Sequence, residues 1–306
     1  GRTAMSIWVC GEVLIDLIPG ADGVRVPHVG GGPANTAKAL ARLGLDSYFI
    51  DGISTDEYGV AARKELLDDE VKLDLALTSD KPTCLATVTL DANGGASYEF
   101  LIDGTATFDF SLDWLPDPSR YKPNVLHIGT LVTVIEPGAD VLYDWAIRVA
   151  EFAPIVYDPN IRPSVMGDRG KYQASVEKWA AISSVIKVSD DDMAWLYPGV
   201  EYANVAKRWV SDGTALVVVT RGSQGLIGFT VDGVVEVPGV KIEVADTVGA
   251  GDTVGAIIVE AMIEKGILNL TDDVLKSTLH RAAVAAGITC SRKGAQPPYK
   301  HELKGV

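Results

Sequence analysis

Asp252 closes the stretch Asp246-Thr-Val-Gly-Ala-Gly-Asp252, and an apolar run from Val254 to Met262 follows it. Gly249 and Gly251 allow close approach of backbone to a ligand and dihedrals that other residues avoid. The apolar run predicts a helix that enters a core. A helix beginning on such a turn directs unpaired N–H groups and the positive end of its dipole at whatever precedes it, which suits phosphate oxygens. A carboxylate beside an anion site is costly unless it has chemistry to do, such as taking a proton from an attacking hydroxyl. Taken alone, Gly-x-Gly-Asp is better explained by Asp252 as a helix cap. A second glycine stretch, Gly30-Gly-Gly-Pro-Ala-Asn35, can lay backbone against a flat, hydroxylated ligand, and Asn35 offers both a donor and an acceptor to sugar hydroxyls. Taken alone, that stretch is better explained as a flexible loop with an Asn in the first helical turn.

These groups need elements to hold them. Ile7–Ile18 is mostly apolar and β-prone, like a buried central strand, with Glu12 and Asp16 interrupting it. Asp16 then stands either at the rim where open α/β sheets bind ligands or on the solvent side of a departing strand. Pro33 marks a helix start and Gly44 its end. Cys84–Asp103 alternates polar and apolar residues around Ala92–Gly95, a hairpin that is either an edge of the main sheet or a separate cover over the site. From Val125 onward strands at Val125–Gly129, Ile155–Asp158, Val185–Val188 and Ala215–Thr220 alternate with helices at Ala139–Phe152, Tyr172–Ala181, Tyr202–Ser211 and Asp252–Lys265. That pattern predicts a mostly parallel sheet covered on both faces. A second hairpin joins Gly225–Thr230 to Val234–Val237.

The 306 residues, 47% of them hydrophobic, suffice for one large core, and no linker or repeat divides them. A net charge of −14 argues against a nucleic-acid partner. Cys10, Cys84 and Cys290 are scattered, as in a reduced, cytoplasmic setting. We expect no signal peptide and no membrane span, and Gly1–Ala4, ahead of Met5, reads as a remnant of expression. Neither a P-loop nor a dinucleotide fingerprint is present. His28, His127, His280 and His301 lack zinc-binding spacing, and no nucleophile elbow occurs. His127, inside an apolar strand, reads as a hydrogen-bonded core histidine.

With both glycine stretches in this order and separation, the sequence resembles the ribokinase-like (PfkB-type) carbohydrate kinases over nearly its whole length. Asp158-Pro-Asn-Ile-Arg162, Val219-Thr-Arg-Gly-Ser-Gln-Gly225 and Ser291-Arg-Lys-Gly-Ala295 extend the likeness. The resemblance implies a single α/β domain of ribokinase-like fold, with lid segments at about 17–30 and 82–106, the lid in relatives often forming a dimer contact. It implies Asp252 as the base, with Gly249, Ala250 and Gly251 holding phosphate oxygens. Asp16, Gly31, Gly32, Asn35 and Arg162 would hold the sugar, and Thr220, Gly222 and Gly225 would line the ATP site. Many relatives organise Mg²⁺ with an Asn-x-x-Glu pair, whereas Ser189-Asp-Asp-Asp192 stands here. Asp192 is therefore a metal candidate, and Ser189 as a helix N-cap is the competing reading. Asp246, with the Arg292–Ala295 segment, would form a site for a monovalent cation such as K⁺.

Gly11-Glu12, Leu14-Ile-Asp-Leu17 and Asp158–Arg162 look most like the fructokinase branch, which implies D-fructose and ATP as substrates. The nearest rival is 2-keto-3-deoxygluconate kinase, in which Arg162 would pair with a substrate carboxylate. Ribokinase and nucleoside kinase readings rank lower. A phosphosugar is disfavoured because no Lys and Arg cluster surrounds the sugar motifs. A non-catalytic sensor would have no need of Asp252 in an intact glycine turn.

Overall fold

The computed structural model describes residues 5–93 and 96–306. Gly1–Ala4, and Gly94 and Gly95 of the expected first hairpin turn, lie outside the described residues. An eight-stranded sheet forms the centre, in the order β14 (Gly233–Val237), β13 (Leu226–Thr230), β12 (Leu216–Thr220), β11 (Val185–Ser189), β10 (Ile155–Asp158), β9 (Val125–Gly129), β1 (Ser6–Cys10) and β4 (Asp46–Ile50). The strands from β12 to β4 are parallel, and β13 and β14 add an antiparallel hairpin at one edge. The alternation of strands and helices therefore gives the fold that it predicts.

Successive residues of each strand serve opposite faces. Ile7, Val9, Val156 and Val218 pack on one side with α1 (Gly32–Arg42), α2 (Glu57–Asp68), α8 (Ala250–Lys265) and α9 (Asp272–Cys290). Trp8, Leu126, Tyr157 and Val217 pack on the other, where α4 (Gly138–Ala150), α5 (Arg169–Ala180), α6 (Asp190–Leu196) and α7 (Tyr202–Ser211) bring Trp145, Trp179, Met193 and Trp209. A one-turn helix, α3 (Pro118–Tyr121), precedes β9. Sequence patterning leaves α9 unread, although it lies against α8 as part of one face.

The Ile7–Ile18 stretch is not one strand. It divides into β1 and β2 (Leu14–Pro19), because Val13 N–H donates to the buried Asp51 Oδ2 at 3.0 Å and a side chain on Gly11 would collide with Pro33. β2 leaves the main sheet and joins a second sheet in the order β3 (Arg25–Gly30), β2, β7 (Leu85–Leu90), β8 (Ala96–Leu101). The Cys84–Asp103 hairpin thus belongs to this sheet and not to an edge of the main one. A short parallel pair, β5 (Gly52–Ser54) with β6 (Leu77–Ser79), completes the strands among the described residues.

Candidate active site

Two helix N-termini meet a sheet edge to form the site. Gly249 caps α8 in the left-handed conformation, φ +83°, which favours glycine; a Cβ there would also lie 2.9 Å from Ala295 Cβ. The Ser291–Ala295 stretch accordingly buttresses the turn. Asp252 is the third residue of α8, and the Thr253 N–H donates to Gly249 O, the first bond of the helix. Ala250 N–H makes a long 3.3 Å contact with Thr247 O, so Gly249 and Gly251 supply the more open donors. At α1, Gly31 has φ +105°, and a Cβ on it would stand 2.4 Å from Glu12 O. That contact lets the α1 N-terminus press onto the chain between β1 and β2.

Asn35 Nδ2 donates to Asp252 Oδ2 at 3.2 Å, and a Cβ on Gly32 would meet Asp252 Oδ1 at 3.1 Å. The two glycine motifs are in contact. A cavity of about 600 Å³ opens here, lined by Asp16, Gly31, Gly32, Asn35, Arg162, Gly249, Gly251 and Asp252. Ala250, Thr220, Gly222, Gly225, Asp192 and Asp246 do not line it. Tyr98 and Phe100, alternate residues on one face of β8, do, so the second sheet covers the mouth.

Burial holds the Asp252 carboxyl up, to about 6, against the opposing pull of the Lys187 ammonium. Asp16, half-buried on β2 instead of at the end of a main-sheet strand, is likewise raised to about 6 by burial, with His28 and Arg162 opposing. Arg162 Nη1 donates to Asn160 Oδ1 at 2.8 Å and to Ile161 O at 3.1 Å. Ser189 is the N-cap of α6, accepting from Asp192 N–H at 3.0 Å. Asp192 Oδ2 accepts the Ile161 N–H at 3.0 Å and so ties down the Asp158–Arg162 loop. Asp246 uses both oxygens on backbone, accepting from Val248 N–H at 3.1 Å and Gly294 N–H at 3.0 Å. Thr220 ends β12 opposite Ser189, with Gly222 and Gly225 in the turn that follows.

Two lining residues receive no role from the motifs. Lys187 is buried on β11, its Nζ 3.0 Å from Asp158 Oδ2. A lysine among valines and isoleucines is the signal that could have marked it. Glu12 is also buried; burial raises its carboxyl to about 7, Oε1 accepts the Leu131 N–H, and Oε2 has no partner among the described residues. His127 is in the core as expected, but neither ring nitrogen has a hydrogen-bond partner among the described residues. Burial accordingly lowers its pKa to about 4.

The pfkB family of carbohydrate kinases matches residues 5–302. This chain belongs to that family. A fructokinase of Rhizobium leguminosarum bv. trifolii is 35% identical over 261 residues, covering 84% of this chain and 79% of that protein. Fructokinase-2 of Oryza sativa subsp. japonica is 31% identical over 300 residues, covering 94% of this chain and 88% of its own. A crystal structure of a fructokinase with bound ATP from Xylella fastidiosa matches the fold with a TM-score of 0.88 at 23% identity, over 97% of each chain. That of a Vibrio cholerae O395 fructokinase in fructose-, ADP- and calcium-bound form gives 0.87 at 23% identity, over 98% of this chain and 97% of that one. The fold is ribokinase-like, and the chain is a phosphotransferase with an alcohol acceptor. No helix among the described residues is long and apolar enough to cross a membrane.

Proposed function

We propose that the chain transfers the γ-phosphoryl group of ATP to a hydroxyl of D-fructose, giving fructose 6-phosphate. The observation that carries this is Asp252, held by Asn35 beside the open N–H groups of α8 in a cavity lined by both glycine motifs. Asp252 takes the hydroxyl proton as the sugar oxygen bonds to phosphorus. The bond from phosphorus to the β-phosphate oxygen breaks, and its electron pair leaves on that oxygen. The N–H groups of Gly249, Ala250 and Gly251 face the transferred oxygens, where charge gathers. Asp16, Gly31, Gly32, Asn35 and Arg162 hold the sugar, and Arg162 and Lys187 are the only cations lining the cavity among the described residues, which suits a neutral sugar.

ATP lies toward Thr220, Gly222 and Gly225, where the turn after β12 leaves open space at Gly222. Mg²⁺ keeps most of its waters and needs few protein ligands. Asp192 is the carboxylate that would reach those waters, and bound Mg²⁺ would shield the β- and γ-phosphates. Asp246 and the turn at 291–295 that it braces would hold K⁺. The β2-β3-β7-β8 sheet acts as a lid, and its exposed Ile18, Val26, Leu90 and Leu101 support pairing with a second copy. A cytoplasmic setting accords with three free cysteines.

The test is ATP consumption over a panel of fructose, 2-keto-3-deoxygluconate, ribose and adenosine. Fructose should be used best, and Arg162→Gln should impair fructose turnover without changing that order. Preference for the acid, lost selectively in Arg162→Gln, overturns fructose in favour of the keto acid.

A further inference from the structure

Lys187 stands in an unfavourable place for a lysine with only a structural duty. Its side chain rises from β11 with 7% exposure, Nζ 3.0 Å from Asp158 Oδ2, and a Cβ built on Gly251 would lie 2.9 Å from that same Nζ. The ammonium is therefore set against the first turn of α8. Helix N-termini carry partial positive charge, so a cation there is repelled, whereas an anion is stabilised. Asp158 takes one of the three ammonium donors. Lys187 itself lines the cavity that Asp252 also lines. Two independent sources of positive charge, a helix end and a buried side chain, thus converge on one point.

We propose that Lys187 is a catalytic residue of the phosphoryl transfer, its ammonium contacting the γ-phosphoryl oxygens together with the Gly249–Gly251 N–H groups as the phosphorus moves from ATP to sugar. This rests on the kinase reading above. In the step itself the sugar oxygen gains the bond to phosphorus, its proton passes to Asp252, and the β-phosphate oxygen departs with the electron pair. Lys187 exchanges no proton; it offsets charge on the three oxygens that travel with phosphorus, where fixed charges act most strongly in a water-poor site. Asp158 holds the ammonium in register from the neighbouring strand. The competing role is simple neutralisation of Asp158, which has 3% exposure and would be costly alone.

Three variants separate the roles: Lys187→Met, Asp158→Asn, and the two combined, which removes both charges and leaves none unpaired. Turnover with the best sugar of the panel is measured beside calorimetric affinities for ADP and for the non-hydrolysable ATP analogue AMP-PNP, which differ by the γ-phosphate. The combined variant should melt as a folded protein, with kcat about 100-fold or more below that of Asp158→Asn and sugar KM within a small factor of it. Its affinity for AMP-PNP should fall further than its affinity for ADP. Recovery of kcat in the combined variant to within a few-fold of Asp158→Asn, or an unchanged AMP-PNP to ADP ratio, overturns the proposal. If Lys187→Met alone does not fold, the combined variant decides. Should the wild type phosphorylate none of the sugars, the fructose reading fails, while the AMP-PNP to ADP ratio still reports on Lys187.

Discussion

Asn35 and Asp252 lie 217 residues apart in sequence, yet the Asn35 amide donates to the Asp252 carboxylate at 3.2 Å. Each stands in the first turn of a helix, and the two helices, α1 and α8, pack side by side against the same face of the central sheet. Such a bond orients the carboxylate toward the cavity and favours its charged form.

Asp252→Asn keeps the shape of the side chain and removes the base. It should fold, bind ATP, and lose about 100- to 10,000-fold in kcat. Gly249 and not Asp252 is the N-cap, so retention of wild-type kcat would leave Asp252 as a first-turn carboxylate that only complements the helix dipole.

The pH profile follows from two raised carboxyls. Asp252 must be unprotonated to accept a proton, and burial raises its pKa to about 6. Asp16, raised to about 6 in the same cavity, accepts sugar hydroxyls best when charged. Activity as kcat/KM should therefore be level above neutrality and fall below about pH 6 with a slope steeper than one. Asp16→Asn should reduce that slope to one; an acid limb near pH 4 in the wild type would contradict both assignments.

Asp16→Ala should raise sugar KM sharply and leave ATP KM within a small factor, because Asp16 hangs from the second sheet over the cavity. Equal rises in both constants would make Asp16 part of the frame.

Gly249→Ala forces a side chain into the left-handed region and against Ala295. The backbone strain alone costs about 1–2 kcal/mol. We expect a folded variant with much reduced kcat, since the N–H groups lose their aim; a kcat equal to wild type would remove the turn from the reaction.

Asp51 joins the two sheets. Its Oδ2 accepts from Val13 N–H at 3.0 Å and lies 2.8 Å from Thr107 Oγ1, so one buried carboxyl holds both segments that cross to the second sheet. Thr107→Val removes a hydroxyl from a fully buried group and should lower stability by about 1–3 kcal/mol in urea unfolding. No shift in the urea midpoint would mean that the crossing segments are held by packing alone.

Much was legible in the residues alone. Glycines before an apolar run announce a backbone site, because only glycine takes φ +83° at Gly249 and φ +105° at Gly31 without strain. Strand and helix alternation after Val125 is periodic, and period alone assigns the layers. What the tertiary structure decided is where charge and connection are buried. Apolar character runs on through Ile7–Ile18, so nothing local shows that Asp51, far along the chain, captures the Val13 N–H and sends Asp16 into another sheet. Lys187 reads as an oddity in a strand until Asp158 and Gly251 appear beside it, because a buried charge is explained only by neighbours that the fold brings from other segments.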